Sequence, residues 1–304
     1  MGVLLGLLSG ITYGAADFIG GLASRRSSTL SVVVISQLSG LVALICLVLI
    51  LPHASPARSD LLWGCAAGLG GAAGITLLYR GLAIGRMSLV SPITAVVAAI
   101  IPLVVGLLLH ERPSPFALTG VAIALLAVVL VSTTDMPGEP ASNAAPGLVG
   151  ARQLQEHAAA VRNWALQPGL SEALLSGISI GAFYVCIAQS HANAGLWPLV
   201  CSRLASVGVL AVLALAVGRS LAPQPGSWVM IIVAGVIDMC ANALYLLATR
   251  YGMLSIVAVL ASLYPASTVL LARVVLRERL NRLQIAGVAC ALVAVGMIAT
   301  GTSH

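Results

Sequence analysis

Apolar residues fall in long runs along this 304-residue chain, separated by short polar connections. A helix crossing a hydrocarbon core of about 30 Å needs roughly 20 residues. Runs of that size lie near 3–22, 29–51, 61–81, 87–109, 115–134, 170–190, 197–218, 228–248, 253–273 and 282–301. None alternates strictly, and each is far longer than a barrel strand of roughly ten residues, so the pattern predicts ten transmembrane helices. Helices suit lipid because each satisfies its own backbone hydrogen bonds. Trp63, Trp197 and Trp228 stand at the starts of runs, as an interfacial aromatic belt requires. The one long interruption, 135–169, contains Pro137, Pro140, Pro146 and Pro168 together with Glu139, Arg152, Glu156 and Arg162. It reads as a flexible linker, or as a short amphipathic surface helix over 150–166 with Trp164 at the interface.

The two sides of that linker repeat each other at a constant offset of 167. LLSGITYGA from Leu7 to Ala15 matches LLSGISIGA from Leu174 to Ala182 at seven of nine positions. Leu109 to Val128 matches Leu276 to Val295 at ten of twenty, and Gly85 and Ser88 fall on Gly252 and Ser255. One register holding at both ends of the unit predicts a duplication, with units 1–134 and 170–304. Five spans per unit is an odd number, so the second unit enters the membrane in the opposite sense. Two inverted halves around a central site are an arrangement many secondary transporters use.

Composition narrows the class further. Only 8% of residues are charged, against about 25% in a soluble domain, while 60% are apolar and the mean hydropathy is +1.06. That excludes an ordinary water-soluble enzyme. The net charge of +6 comes from scattered arginines without a basic stripe, so no nucleic-acid partner is expected. Cys46, Cys65, Cys186, Cys201, Cys240 and Cys290 all sit in apolar runs without CxxC spacing, which reads as core filling and not as a metal site or disulfides. There is no Walker-type phosphate loop, no HExxH and no nucleophile–base set. No cofactor and no enzymatic activity are expected.

The chain resembles EamA-type members of the drug/metabolite transporter superfamily. The resemblance rests on the ten-span layout, the duplicated Glu111-Arg112 and Glu278-Arg279 turns, and the Tyr79…Gly85…Ser88…Pro92 stretch. It covers essentially everything outside 135–169. It implies a basket in which helices 1–4 and 6–9 surround a central cavity while helices 5 and 10 lie outside. It also implies a multi-pass protein of the plasma membrane (the inner membrane of a Gram-negative cell) that carries small molecules by alternating access, often outward. The partners implied are a small-molecule substrate and membrane lipids, with coupling to protons or sodium, as a monomer or homodimer. The second unit departs from the pattern, having Val259 where Pro92 stands in the first.

Charges at membrane depth are the candidate chemistry, since each costs roughly 2.5–3.5 kcal/mol on insertion scales unless it meets a cavity or a partner. Asp238 lies ten residues past Trp228, about 15 Å along a helix and therefore mid-membrane. Asn242 is one turn further on the same face. Asp238 either lines a substrate or proton path or clamps a neighbouring helix. Asp17, with Tyr13 one turn earlier, either faces a cavity or pairs with Arg25 or Arg26. Arg203 reads equally as a ligand for a substrate carboxylate, a partner of Asp238, or a side chain snorkelling to headgroups. If Arg203 and Asp238 pair, neither need bind substrate, and the pair marks a gate. Gln37 is a mid-span candidate for the lining. Gln189, Asn193, Tyr184, Tyr245 and Tyr264 read mainly as interhelical hydrogen-bonders, and His191 as an interfacial residue before a proton relay.

Glu111-Arg112 and Glu278-Arg279 precede the fifth and tenth runs. They read as turn-setting pairs, each carboxylate favourable near the following helix's N-terminus, or else as a gate. Pro92, Pro102, Pro198 and Pro265 are candidate kinks in runs 4, 7 and 9. The leading function is a secondary transporter of a small metabolite or drug-like molecule. A channel, a non-transporting scaffold or, further behind, a lipid-acting membrane enzyme are the alternatives.

Overall fold

The structure is a computed structural model describing residues 1–24, 26–50, 54–84, 87–132, 168–217, 221–276 and 281–301. Its helices follow the apolar runs. They are α1 (Gly2–Ser24), α2 (Thr29–Ile50), α3 (Arg58–Ile84), α4 (Met87–Leu108), α5 (Pro115–Ser132) and α6 (Leu170–Ala188). After a short 3₁₀ turn (Ala192–Ala194) come α7 (Trp197–Val217), α8 (Trp228–Tyr251), α9 (Leu254–Ala261), α10 (Tyr264–Leu276) and α11 (Arg282–Gly301). No strand occurs among the described residues. Eight candidate spans among those residues are long and apolar enough to cross a membrane, and two shorter apolar helices, Pro92–Leu108 and Pro115–Val131, accompany them. The proposed linker helix over 150–166 lies outside the described residues.

Local chemistry starts the helices. The Ser28 hydroxyl accepts the Ser31 amide at 3.3 Å before α2, and the Ser114 hydroxyl accepts the Ala117 amide at 3.1 Å before α5. Asn281 and Gln284 cap reciprocally before α11, Gln284 N–H donating to Asn281 Oδ1 at 2.7 Å and Asn281 N–H to Gln284 Oε1 at 3.0 Å. The prolines divide. Pro92 and Pro102 lie inside α4. The ninth run is broken at Ser262 and Leu263, and Pro265 sits in the first turn of the restarted helix α10. Pro198 is not a kink: it occupies the first turn of α7, where the missing N–H has no helical partner to lose.

Contacts between the two sequence halves hold the bundle together. α1 packs lengthwise on α8 and α6 on α3; α1 also meets α9 and α10, and α6 meets α4. α2 faces α7, and α5 packs against α11. The offset of 167 also relates these contacts atom by atom. The Ser9 hydroxyl donates to the Ala241 carbonyl at 2.9 Å, and Ser176 donates to Gly74 at 2.7 Å. A Cβ on Gly10 would lie 3.1 Å from the Ala261 carbonyl, and one on Gly177 2.9 Å from that of Thr94. Gly120 abuts Ile298 as Gly287 abuts Val131. Without a hydrophobic drive between helices in lipid, such close backbone approach supplies the packing energy.

At Gly68 a Cβ would overlap the backbone of Ser202 on α7, whereas at Gly208 it would meet nothing within 4 Å. Gly68→Ala is therefore expected to destabilise by about 1–3 kcal/mol. Gly208→Ala should be neutral or gain up to about 1 kcal/mol from helix propensity. Thermal melts of the two variants in one detergent check the contrast.

Candidate functional site

A cavity with about 660 Å³ of empty space, its mouth included, lies between the two halves. α1 contributes Tyr13 and Asp17, α2 Gln37, and α3 Gly71, Ile75 and Leu78. From the second half come Ile180, Phe183 and Tyr184 of α6, and Ser202, Arg203 and Ser206 of α7. Asp238 and Asn242 of α8 and Tyr264 of α10 complete the lining. The structure thus brings Asp238, Asp17, Arg203, Asn242, Gln37 and Tyr13 onto one surface. Among the described residues, α5 and α11 contribute nothing to it, and neither does α4, which the family resemblance had put on the cavity wall.

The charges are arranged as one pair and one carboxylate apart from it. Arg203 Nη2 donates to Asp238 Oδ2, joining α7 to α8, and Arg203 Nε donates to Met239 Sδ at 3.3 Å. Asn242 Nδ2 donates to the Asp238 carbonyl at 2.7 Å and to its Oδ2 at 3.2 Å. Arg203 is buried, while 24% of the Asp238 side chain stays exposed. The guanidinium is therefore not snorkelling. Asp17 has no ion-pair or hydrogen-bond partner among the described residues; Arg26 is not one, and Arg25 lies outside those residues. Gln37 Oε1 and the Tyr264 hydroxyl are buried without a protein partner.

Aromatic rings close the cavity toward the end of the bundle where α1 begins. Tyr184 stacks on Tyr245 with centroids 4.4 Å apart, and Tyr13 and Phe183 tilt against Tyr184 at 6.2 and 5.7 Å. Tyr245 is fully buried beneath them, its hydroxyl donating to the Tyr184 carbonyl at 3.4 Å. The sequence singled out Tyr184 and Tyr264 only as interhelical hydrogen-bonders, and Phe183 and Ser206 not at all. A serine one turn from Arg203 was the available signal for Ser206.

Beyond the rings lies a polar layer at the same end. Asp60, in the first turn of α3, accepts the His191 amide at 2.9 Å and lies 2.8 Å from His191 Nδ1. Arg250 Nη2 donates to the Gly195 carbonyl, and the Ser55 amide donates to Asn193 at 3.0 Å. Asp60 escaped sequence analysis because an acid in a helix's first turn already has a local explanation. Glu111 also belongs here, with a partner other than the expected one. Its Oε1 and Oε2 accept the amides of Leu254 and Ser255 at 2.6 and 2.9 Å, so it caps α9 of the other half and not the helix that follows it in sequence. His110, at φ 66°, turns the chain to aim it there. Arg112 is exposed, and Glu278-Arg279 lie outside the described residues. At the offset of 167, the positions of Asp60, His191, Arg250 and Gly195 are held by Ser227, Ser24, Ala83 and Ser28.

An all-helical bundle with apolar helices of membrane-spanning length and a charged cavity at its centre defines a multi-pass membrane protein. The chain belongs to the EamA-like transporter family, whose model matches residues 1–133 and 167–300. Among curated proteins none matches it. A crystal structure of another protein superposes with a TM-score of 0.73 over 98% of both chains at 15% identity, a likeness of fold.

Removing Arg203 would strand a carboxylate in the cavity wall. Arg203→Ala is expected to cost up to about 3 kcal/mol, and adding Asp238→Asn should recover part of that loss. Melting temperatures of the wild type, both single variants and the double variant measure the coupling.

Proposed function

We propose that this protein is a secondary transporter that carries a small metabolite or drug-like molecule across the plasma membrane by alternating access, with export the direction its family resemblance implies. In this reading ten spans form two inverted five-helix repeats, 1–134 and 170–304, joined by 135–169. The observation that carries the reading is the pairing of contacts across the halves at one offset, Ser9–Ala241 with Ser176–Gly74 and Gly10–Ala261 with Gly177–Thr94. Two halves that grip each other through equivalent contacts can exchange roles, so that the cavity between them opens to one side and then the other. Asp238, Asp17, Arg203, Asn242, Gln37 and Tyr13 form the substrate or ion path. Arg203–Asp238 ties α7 to α8 within the second half, so it holds those helices as one moving body. The drive is a proton or sodium gradient, or exchange.

The conformation described is the one closed at the end where α1 begins. Its seal consists of the stacked tyrosines, Asp60–His191, Arg250–Gly195 and Glu111 on α9. Opening there must separate α3 from α7, which touch at Gly64–Pro198 and Gly68–Ser202. Cys65 follows Gly64 on α3 and Cys201 precedes Ser202 on α7, so both flank that same contact. Oxidation of the native chain with copper phenanthroline should join them and hold this end shut.

The test is counterflow in proteoliposomes of a compound selected by a thermal-shift screen. Saturable counterflow should fall at least tenfold on cross-linking and return on reduction, whereas Cys65→Ala should be insensitive to the oxidant. Flux that does not saturate would indicate a channel, and undiminished flux through the cross-linked protein would exclude opening at α3–α7.

A further inference from the structure

The cavity combines engaged cationic donors with strong acceptors that have no partner. Arg203 donates through Nη2 to Asp238 and through Nε to Met239, and the Asn242 amide nitrogen donates to Asp238. Asp17 has no ion-pair or hydrogen-bond partner among the described residues, and the Gln37 carbonyl oxygen, on a side chain only 6% exposed, has none either. The hydroxyls of Tyr13 and Tyr264 are likewise unpartnered and can accept or donate. Among the described residues, the formal charges of the lining are two carboxylates against one guanidinium.

A buried acceptor left unpaired is costly, so such a wall favours a guest that brings donors and positive charge. Around these groups stand the rings of Tyr13, Phe183, Tyr184 and Tyr264, with Ile75, Leu78 and Ile180. Aromatic faces attract a cation and also cover an apolar body. An anionic guest would have to take Arg203 away from Asp238 and leave that carboxylate stranded.

We infer that the cavity takes a small organic cation, a primary ammonium group on an apolar or aromatic body, with the ammonium held by Asp17 and the Gln37 carbonyl. The inference rests on the reading of this cavity as the transport site and adds the chemical class of its ligand. It makes Asp17 the charge-selecting residue and gives the Arg203–Asp238 pair a second role, keeping the guanidinium of the wall occupied.

Three probes of similar shape test it on the purified full-length protein: 2-phenylethylamine, 2-phenylethanol and phenylacetate, each titrated in a thermal-shift assay with the apparent Kd read from the midpoint shift. The amine is expected to stabilise saturably, and the alcohol and the acid at least tenfold more weakly. Asp17→Asn should weaken the amine at least tenfold and Gln37→Leu at least threefold. Glu172→Gln, outside the cavity, should leave its binding within twofold. The inference falls if the acid or the alcohol binds as well as the amine, if none of the three binds, or if Asp17→Asn leaves amine binding unchanged. The wild-type series decides alone should Asp17→Asn fail to purify as a folded protein.

A separate measurement keeps the transport reading apart. In a chain with its six cysteines replaced by alanine, Ser206→Cys is treated with an impermeant maleimide applied to each face of sealed vesicles in turn. Labelling from both faces with no amine preference would remove the ligand class and leave the transporter standing. Labelling from one face alone would remove the transporter itself.

Discussion

The position of every group in the cavity depends on how closely helix backbones approach one another at glycine. Lipid is as apolar as leucine, so burying leucine between helices contributes little, and these spans associate by contact distance and by hydrogen bonds to backbone carbonyls. Gly10 and Gly14 on α1 let that helix lie against α9 and α10, and Gly177 and Gly181 let α6 lie against α4. The serine beside each upper glycine then reaches a carbonyl on a third helix. With α1 set on α8, and α6 on α3, the side chains of Asp17, Tyr184 and Asp238 have one direction in which to point. A Cβ added at one of these glycines would move a cavity wall before it reached any cavity residue.

The charged groups can be read against that scaffold. Membrane interiors tolerate ionised side chains when each has a partner or a wet surface, and this protein uses both solutions within one cavity. Arg203 and Asp238 compensate each other, with Asn242 completing the carboxylate's hydrogen bonds. A paired charge of this kind contributes little net stability but strongly penalises the loss of either member. Asp17 follows the second solution, keeping an open side toward the cavity. The contrast between a satisfied pair and an unsatisfied carboxylate is what gives the site a preferred sign of guest.

Much of this was legible in the chain itself. Long apolar runs delimit the helices because a membrane accepts no other use of them, and Asp17, Arg203 and Asp238 stood out because their burial in lipid would be so costly. Their convergence on a cavity was implied by the family resemblance; the Arg203–Asp238 pairing was one of several options, since spacing along two separate helices does not state their mutual rotation. Partners distant in sequence were hidden. Glu111 reads as serving the next helix, yet its carboxylate reaches amides more than a hundred residues away, a contact set by the fold and not by the turn. Pro198 misled because proline signals the same thing in a first turn as in a helix interior until the start of the helix is known. Tyrosines at helical spacing resemble ordinary packing, so Tyr184 and Tyr264 carried no distinguishing mark.

The two ends of the bundle are dressed differently, with Asp60, His191 and Arg250 at one and Ser227 and Ser24 at equivalent positions of the other. Contacts that involve formal charge near water weaken as dissolved salt rises, and contacts between uncharged groups hardly respond. On the proposed cycle, the electrolyte bathing a single face of the membrane would therefore bias which posture the empty molecule rests in. The two halves would thus answer unequally to the ionic strength of the compartments they separate.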